Sequence, residues 1–403
     1  MEHIYLDNAA TTPIAPEVIE TMTTQMTQDF GNASSTHFFG RQAHTVLDTS
    51  RHILAQSINA KDNDIILTSG ATESNNMAIL QTAQKRANEG KRIITTAIEH
   101  HSVLKPMAYL ESQGFDIVYL PVNAQGVIEL ADLRAALTPE TILVTIMMGN
   151  NEIGSHMPIH EIGQLVHESN AWFHTDATQA YGLLDIDVQE DQIDMLSVSA
   201  HKINGPKQIG FLYVNDAIHL PSFLMGGEQE KKRRAGTENI PAVAGFAKAV
   251  ELLTPAVKAE HRARYAGFKQ QVLETLQANG IDFEVNGAGS DDMVGHVLNM
   301  WVKGVSTYVL QMNLDLAGFA ISGGSACTAG DLEPSHVLIA MYGEDSPRVA
   351  ESIRISFGVE TTEADVTAFC AALTKIVQKT WLSKPVKPRR NRFIYAKMKL
   401  SIS

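Results

Sequence analysis

The chain of 403 residues carries only two cysteines, Cys327 and Cys370. Two are too few for a disulfide framework or a tetrathiolate metal site. Long apolar runs are missing as well: none reaches the roughly 18 residues that a membrane span needs. The opening Met1-Glu2-His3-Ile4-Tyr5-Leu6-Asp7 has neither a basic n-region nor an apolar h-region, so no secretory signal is expected. Basic residues are in deficit, 32 Lys and Arg against 45 Asp and Glu, and the net charge is −13. That balance argues against a nucleic-acid surface as the main business of the protein. A reducing, cytoplasmic setting is expected. What is present is ordinary globular composition, 44% hydrophobic and 19% charged, long enough for two domains and a substantial core.

From about residue 60, strand-like and helix-like segments alternate. Short β-prone runs cover 65–68, 92–98, 115–122, 142–148, 172–176, 195–199 and 209–214. Helical spacing fills the intervals from Gly70, 101–113, 129–137 and 159–168. Such alternation predicts crossover units on a mostly parallel sheet covered by helices, with ligands beyond the carboxyl ends of the strands. After a helix near 242–253, Pro255 is expected to break the pattern. A long charged helix follows to Ala278, then strand-like 294–302 and 353–357, and a closing helix near 362–381. The segment from Ser383 is basic and reads as a solvated tail.

The most telling stretch is Ser197-Val198-Ser199-Ala200-His201-Lys202-Ile203-Asn204-Gly205-Pro206. An apolar run ends in small and polar residues, one lysine and a Gly-Pro turn, which places Lys202 at the mouth of a sheet. Desolvation there would lower its pKa and make a neutral amine available to an aldehyde cofactor. Alone, the string also describes a snorkelling surface lysine. Ser69-Gly70-Ala71-Thr72-Glu73-Ser74 runs from strand to helix and directs backbone N–H groups and a hydroxyl at an anion such as phosphate, or is a plain capping box. Asp176 ends a buried strand, where a carboxylate needs a cation; a protonated pyridine nitrogen is one, and a helix N-cap is the alternative. Gln179 lies one turn on. Glu99-His100-His101 and Asn150-Asn151-Glu152-Ile153-Gly154 follow other strand ends and offer imidazoles and amides at the same edge. Either histidine singly also fits a packed or exposed residue, and the Asn-Asn stretch a simple turn. Arg354, between Ile353 and Ile355, could grip a carboxylate bidentately or form an internal ion pair. Cys327 stands in the small-residue loop Ser322-Gly323-Gly324-Ser325-Ala326-Cys327-Thr328-Ala329-Gly330, suited to an exposed nucleophile. Cys370, within Ala368-Phe369-Cys370-Ala371-Ala372-Leu373, reads as core.

Together with Tyr5-Leu6-Asp7-Asn8-Ala9-Ala10-Thr11-Thr12, Gly31-Asn32-Ala33-Ser34-Ser35-Thr36-His37 and Arg234-Ala235-Gly236-Thr237-Glu238-Asn239, these stretches resemble cysteine desulfurases of the NifS/IscS type. Those enzymes belong to the aminotransferase class V branch of fold-type I pyridoxal-phosphate enzymes. The resemblance spans residue 5 to about 380. It implies an α/β fold: a large cofactor domain over 13–256 with a mostly parallel seven-stranded sheet, and a smaller α/β domain from 1–12 and 257–381. Residues 382–403 would be a tail. It implies pyridoxal 5′-phosphate carried by Lys202, with Thr72, Ser199 and His201 on its phosphate, Thr237 reaching in from a partner subunit, and Ala71 beside it. Asp176 would pair with the pyridinium nitrogen and Gln179 with the ring oxygen. His100 would stack on the ring and move protons. Asn151 and Arg354 would hold the carboxylate of L-cysteine, and Cys327 would take its sulfur as a persulfide. The products would be L-alanine and sulfur for an acceptor protein, an iron–sulfur scaffold or a tRNA 2-thiolation enzyme. A homodimer is implied, with no membrane, metal or direct nucleic-acid role. Ala33 replaces a proline found in many relatives, and the basic end of the chain does not resemble the docking segment of scaffold-feeding members. Competing readings are a selenocysteine lyase, another class V lyase or aminotransferase, and a catalytically dead scaffolding relative. The last should have lost Lys202, Asp176 or Cys327, and all three are present.

Overall fold

Short strands in which every residue is buried, such as Thr141–Thr145, Met195–Ser199 and Gly210–Val214, need cover on both faces. The computed structural model describes residues 3–287, 294–323 and 334–383, and it supplies that cover. In chain order the strands are β1 (Ile4–Tyr5), β2 (Ile65–Thr68), β3 (Arg92–Thr96), β4 (Asp116–Leu120), β5 (Thr141–Thr145) and β6 (Trp172–Asp176). They continue with β7 (Met195–Ser199), β8 (Gly210–Val214), β9 (Phe283–Val285), β10 (Val297–Val302), β11 (Phe319–Ala320) and β12 (Ser352–Ser356).

One seven-stranded sheet has the order β2-β8-β7-β6-β5-β3-β4. All its neighbours pair in parallel except those of β8, which is antiparallel to both β7 and β2. Because β8 alone is reversed, β2, β3, β5, β6 and β7 all end at one edge. Alternate residues of the strands enter two separate cores. Leu67, Ile94, Val144, Phe173, Leu196 and Phe211 belong to one, and Ile66, Ile93, Leu143, Met195 and Leu212 to the other. The side-chain period of a strand thus distributes the apolar residues between two helical layers.

A third core surrounds the antiparallel sheet β12-β10-β9. It takes in Leu6, Phe268, Leu298, Met300, Ile353, Ile355 and Phe369. The amino-terminal strand joins this unit, with β1 pairing in parallel with β11. Cys370 is fully buried in this core, and burial raises its thiol pKa to about 11, so it is an inert filler.

Two features depart from the sequence reading. Alternation from residue 60 overlooks the helices Pro16–Gln28 and Phe38–Gln56, which pack on the helix Ile240–Glu251. The break expected at Pro255 is present between the helices Ile240–Glu251 and Pro255–Ala278, but Pro255 itself belongs to the second helix. It stands at the first position of Pro255–Ala278, where its missing N–H costs nothing, and Thr254 Oγ1 caps the turn by accepting from the Val257 amide at 3.3 Å. Cys327, with the part of its glycine-rich loop from 324 to 330, and the basic tail from 384 lie outside the described residues.

Candidate active site

Where β2, β3, β5, β6 and β7 end, their loops surround a cavity of about 690 Å³. This is the place at which parallel sheets hold ligands. Ala71 and Thr72 follow β2, His100 follows β3, Asn151 follows β5, Asp176 and Gln179 follow β6, and Ser199, His201 and Lys202 follow β7. All of them line the cavity, and Arg354 of β12 closes it from the other unit. The strand-end rule therefore gathers residues far apart in sequence without any of them needing to be close along the chain.

The turn after β2 is shaped for close approach. Gly70 has φ +138°, a region that L side chains rarely adopt, and a Cβ there would meet Ser199 Oγ at 3.2 Å. Gly210, at the start of β8, lies so near that its own Cβ would fall 2.7 Å from Gly70 Cα. The helix Ala71–Arg86 begins here and points its first amides at the cavity. Glu73 Oε2 accepts from the Ser69 amide at 2.7 Å and Glu73 pairs with Arg234, so the capping contact and the anion-facing turn coexist. His201, beside Lys202, is held neutral: burial and the nearby lysines Lys202 and Lys207 lower its pKa to about 4.

Lys202 is on the turn Ala200–Lys202 directly after β7. Its Nζ donates to the carbonyls of Ala9 at 2.5 Å and Ala10 at 2.7 Å. Burial, with Arg354 nearby, lowers its pKa to about 8 against the opposing pull of Asp7 and Asp176. An amine so placed is partly neutral near physiological pH, which a surface lysine is not.

Across the cavity Asp176 is 5% exposed. Its Oδ1 accepts from the Thr178 amide at 2.9 Å, and its Oδ2 accepts from Asn75 Nδ2 at 2.7 Å. Asn75 gives its second proton to Ser102 Oγ at 2.8 Å. Ser102 Oγ lies 2.8 Å from His100 Nδ1, which also receives the Ser102 amide at 3.1 Å. An amide N–H can only donate, so Nδ1 is bare, the serine hydroxyl donates to it, and the His100 proton sits on Nε2. Solvent reaches the His100 ring through the cavity, yet the packed protein around it lowers its pKa. Asp176 opposes that shift, and Lys202 and the histidines His101 and His336 add to it. One chain of hydrogen bonds therefore runs from the carboxylate under the cavity to the imidazole beside it.

Arg354 is 2% exposed. It donates from Nη2 to Asp7 Oδ1 at 2.7 Å and from Nη1 to the Asn151 carbonyl at 2.9 Å. The internal ion pair of the sequence reading is present, and the guanidinium lines the cavity as well. Thr237 does not line the main cavity. It is exposed on a smaller neighbouring one that shares Ser69 and Gln208 with it.

Several contributors were not legible in the sequence. Asn75 lies three residues after Thr72 on the same helix face, so helical spacing was a usable signal. Ser102 and His296 carried none, and Asp7 was marked only as part of the stretch 5–12; only the fold brings Asp7 to Arg354 and His296 to Gln179. Glu99, flagged only as part of Glu99-His100, is fully buried. Its Oε1 accepts from Thr96 Oγ1 at 2.7 Å and from the Met147 amide at 3.0 Å, and burial raises its pKa to about 8.

Comparison with known proteins agrees with this geometry. The Aminotransferase class-V family matches residues 4–369. The chain is 49% identical over 379 residues to the IscS 1 protein of Bacillus subtilis (strain 168), covering 94% of this chain and 100% of the relative. It is 40% identical over 384 residues to the cysteine desulfurase IscS of Dictyoglomus turgidum (strain DSM 6724 / Z-1310), covering 95% and 97%. A solved structure of SspA in complex with cysteine superposes with a TM-score of 0.76 at 37% identity, covering 88% of this chain and 98% of that one. The match to the family takes in all three sheets and every cavity residue named above, and the chain belongs to the pyridoxal-phosphate-dependent class-V aminotransferases.

Proposed function

We propose that the protein is a cysteine desulfurase: it converts L-cysteine to L-alanine and hands the sulfur to its own Cys327 as a persulfide. The observation that carries this reading is Lys202, a lysine with its pKa lowered to about 8, facing a cavity that also holds a buried carboxylate, an anion-directed helix start and an arginine. The cavity fits pyridoxal phosphate. Asp176 answers a protonated ring nitrogen, Gly70 leaves room at the phosphate end, and Thr72, Ser199 and His201 offer donors there. When bound at Lys202, the cofactor supplies an electron sink for the carbon framework of the substrate.

The remaining work belongs to the side chains. Arg354 and Asn151 orient the substrate carboxylate, with Asp7 fixing the guanidinium. His100 holds a transferable proton on Nε2, fixed in that form by Ser102. In the net reaction the bond between Cβ and sulfur breaks, a bond forms between that sulfur and Cys327, and the carbon takes up a proton to give alanine.

The sulfur then passes to an acceptor protein for iron–sulfur cluster assembly, with tRNA thiolation as a second destination. The working form is a cytoplasmic homodimer. Its support is Thr237, exposed beside but outside the cavity of its own chain, and an exposed aromatic group in which the Phe39 ring lies 5.2 Å from that of Phe30 and 5.5 Å from that of Phe38. The test is product analysis with purified holoenzyme and L-cysteine. Alanine in equal amount to transferred sulfur supports the reading, whereas pyruvate and ammonia, or an amino group moved to a keto acid, would refute it.

A further inference from the structure

His296, just before β10, is 8% exposed and lines a small pocket of about 40 Å³ that shares Gln179 and Lys202 with the main cavity. Its Nε2 lies 2.9 Å from Gln179 Oε1. Gln179 Nε2 in turn donates at 2.9 Å to the Ala9 carbonyl, the same carbonyl that Lys202 Nζ reaches at 2.5 Å. A carbonyl can only accept, so the glutamine nitrogen faces the lysine side and its oxygen faces the histidine. His296 must therefore donate from Nε2. Its Nδ1 is left bare, buried and without a hydrogen-bond partner among the described residues. The charged groups facing it are Lys269, Lys202 and Arg354, and burial with these cations keeps the ring neutral. The ring thus has one proton to give, and it gives that proton to Gln179. Leaving a buried nitrogen unsatisfied carries a penalty, which the fixed amide offsets.

We propose that His296 is a positioning residue that locks the Gln179 amide, so that its N–H rather than its carbonyl meets the ring oxygen of the cofactor. The inference rests on the reading of Lys202 as the cofactor lysine. A donor there stabilises negative charge on the ring oxygen, and does so most once the neighbouring lysine nitrogen has lost its proton. The locked amide therefore lowers the pH at which that nitrogen deprotonates. A reversed amide would set two acceptors against each other and raise it.

The test is a pH titration of the visible absorbance of the bound cofactor, without substrate. In the His296→Leu holoenzyme the midpoint rises by about one pH unit, a tenfold change in the dissociation constant. Gln179→Leu gives the same rise, the double variant gives no more, and His296→Gln, which keeps an N–H donor, restores part of it. Gln179→Glu leaves His296 untouched, sets a carboxylate oxygen toward the ring oxygen and raises the midpoint further. An unmoved midpoint in His296→Leu or Gln179→Glu, or additive shifts in the double variant, would overturn the inference. Wild-type protein that takes up no cofactor at all would sink the underlying reading instead, so the two failures are distinguishable.

Discussion

Replacing Asn75 with aspartate tests the hydrogen-bond chain beneath the cavity most severely. Asn75 is fully buried and gives one proton to Asp176 Oδ2 at 2.7 Å and the other to Ser102 Oγ at 2.8 Å. Asn75→Asp keeps the shape but sets a second carboxyl against the first in a dry site. Two carboxylates so close cannot both be ionised, so the pair retains a proton in the folded protein. The unfolded chain gives up the corresponding proton near pH 4. Above that pH the folded state binds more protons than the unfolded state, so the variant loses stability relative to wild type as pH rises, by about 1.4 kcal/mol per unit. A shift of about three units, ordinary for buried carboxylate pairs, accumulates to about 4 kcal/mol by pH 7. Urea midpoints of cofactor-free variant and wild type, measured at pH 5 and pH 7, give the comparison. The gap should widen by about 2–3 kcal/mol between the two. Asn75→Leu should show a gap that does not change with pH. An equal gap at both pH values for Asn75→Asp would mean that residue 75 does not face Asp176, and the hydrogen-bond chain from that carboxylate toward Ser102 would be broken at its first link.

Two further outcomes follow from the same physics. Glu99 has its folded pKa raised to about 8, so its contribution to stability is greatest below the unfolded value near 4.5 and is lost as pH rises through 8. Glu99→Gln keeps the acceptor for Thr96 and the Met147 amide and should remove that decline, worth at most about 4 kcal/mol between pH 5 and 8; parallel stability curves for the two proteins would contradict it. Lys202, with its pKa lowered to about 8, should take up pyridoxal phosphate about tenfold faster at pH 7 than at pH 6 and level off above 8, read by stopped-flow absorbance of the cofactor-free protein. A rate still climbing tenfold per unit at pH 10 would show an ordinary, solvated lysine.

Much of this site was legible because its chemistry sits at strand ends. β6 and β7 were bounded correctly by apolar runs that stop at Asp176 and Ser199, and the chemistry-bearing residues follow within a turn. Amphipathic helices near the amino terminus were missed because Pro16–Gln28 and Phe38–Gln56 are polar-rich and bury few residues. The bonds that tune the site were beyond reach for another reason. Asp7 to Arg354 and His296 to Gln179 join residues 347 and 117 positions apart, and no local spacing encodes such pairs. Asn75 was accessible in principle, one helical turn from Thr72, but an asparagine inside a helix announces nothing until its partner is in view.

The central claim is that sulfur leaves L-cysteine and comes to rest on one thiol of this chain. Holoenzyme given sulfur-labelled L-cysteine, alkylated and mapped by peptide mass, measures this directly. The label should appear as a persulfide on Cys327, with one alanine per labelled sulfur, and neither should form in Lys202→Ala. Label on the buried Cys370, or alanine formed at the wild-type rate by Cys327→Ala, would contradict the account.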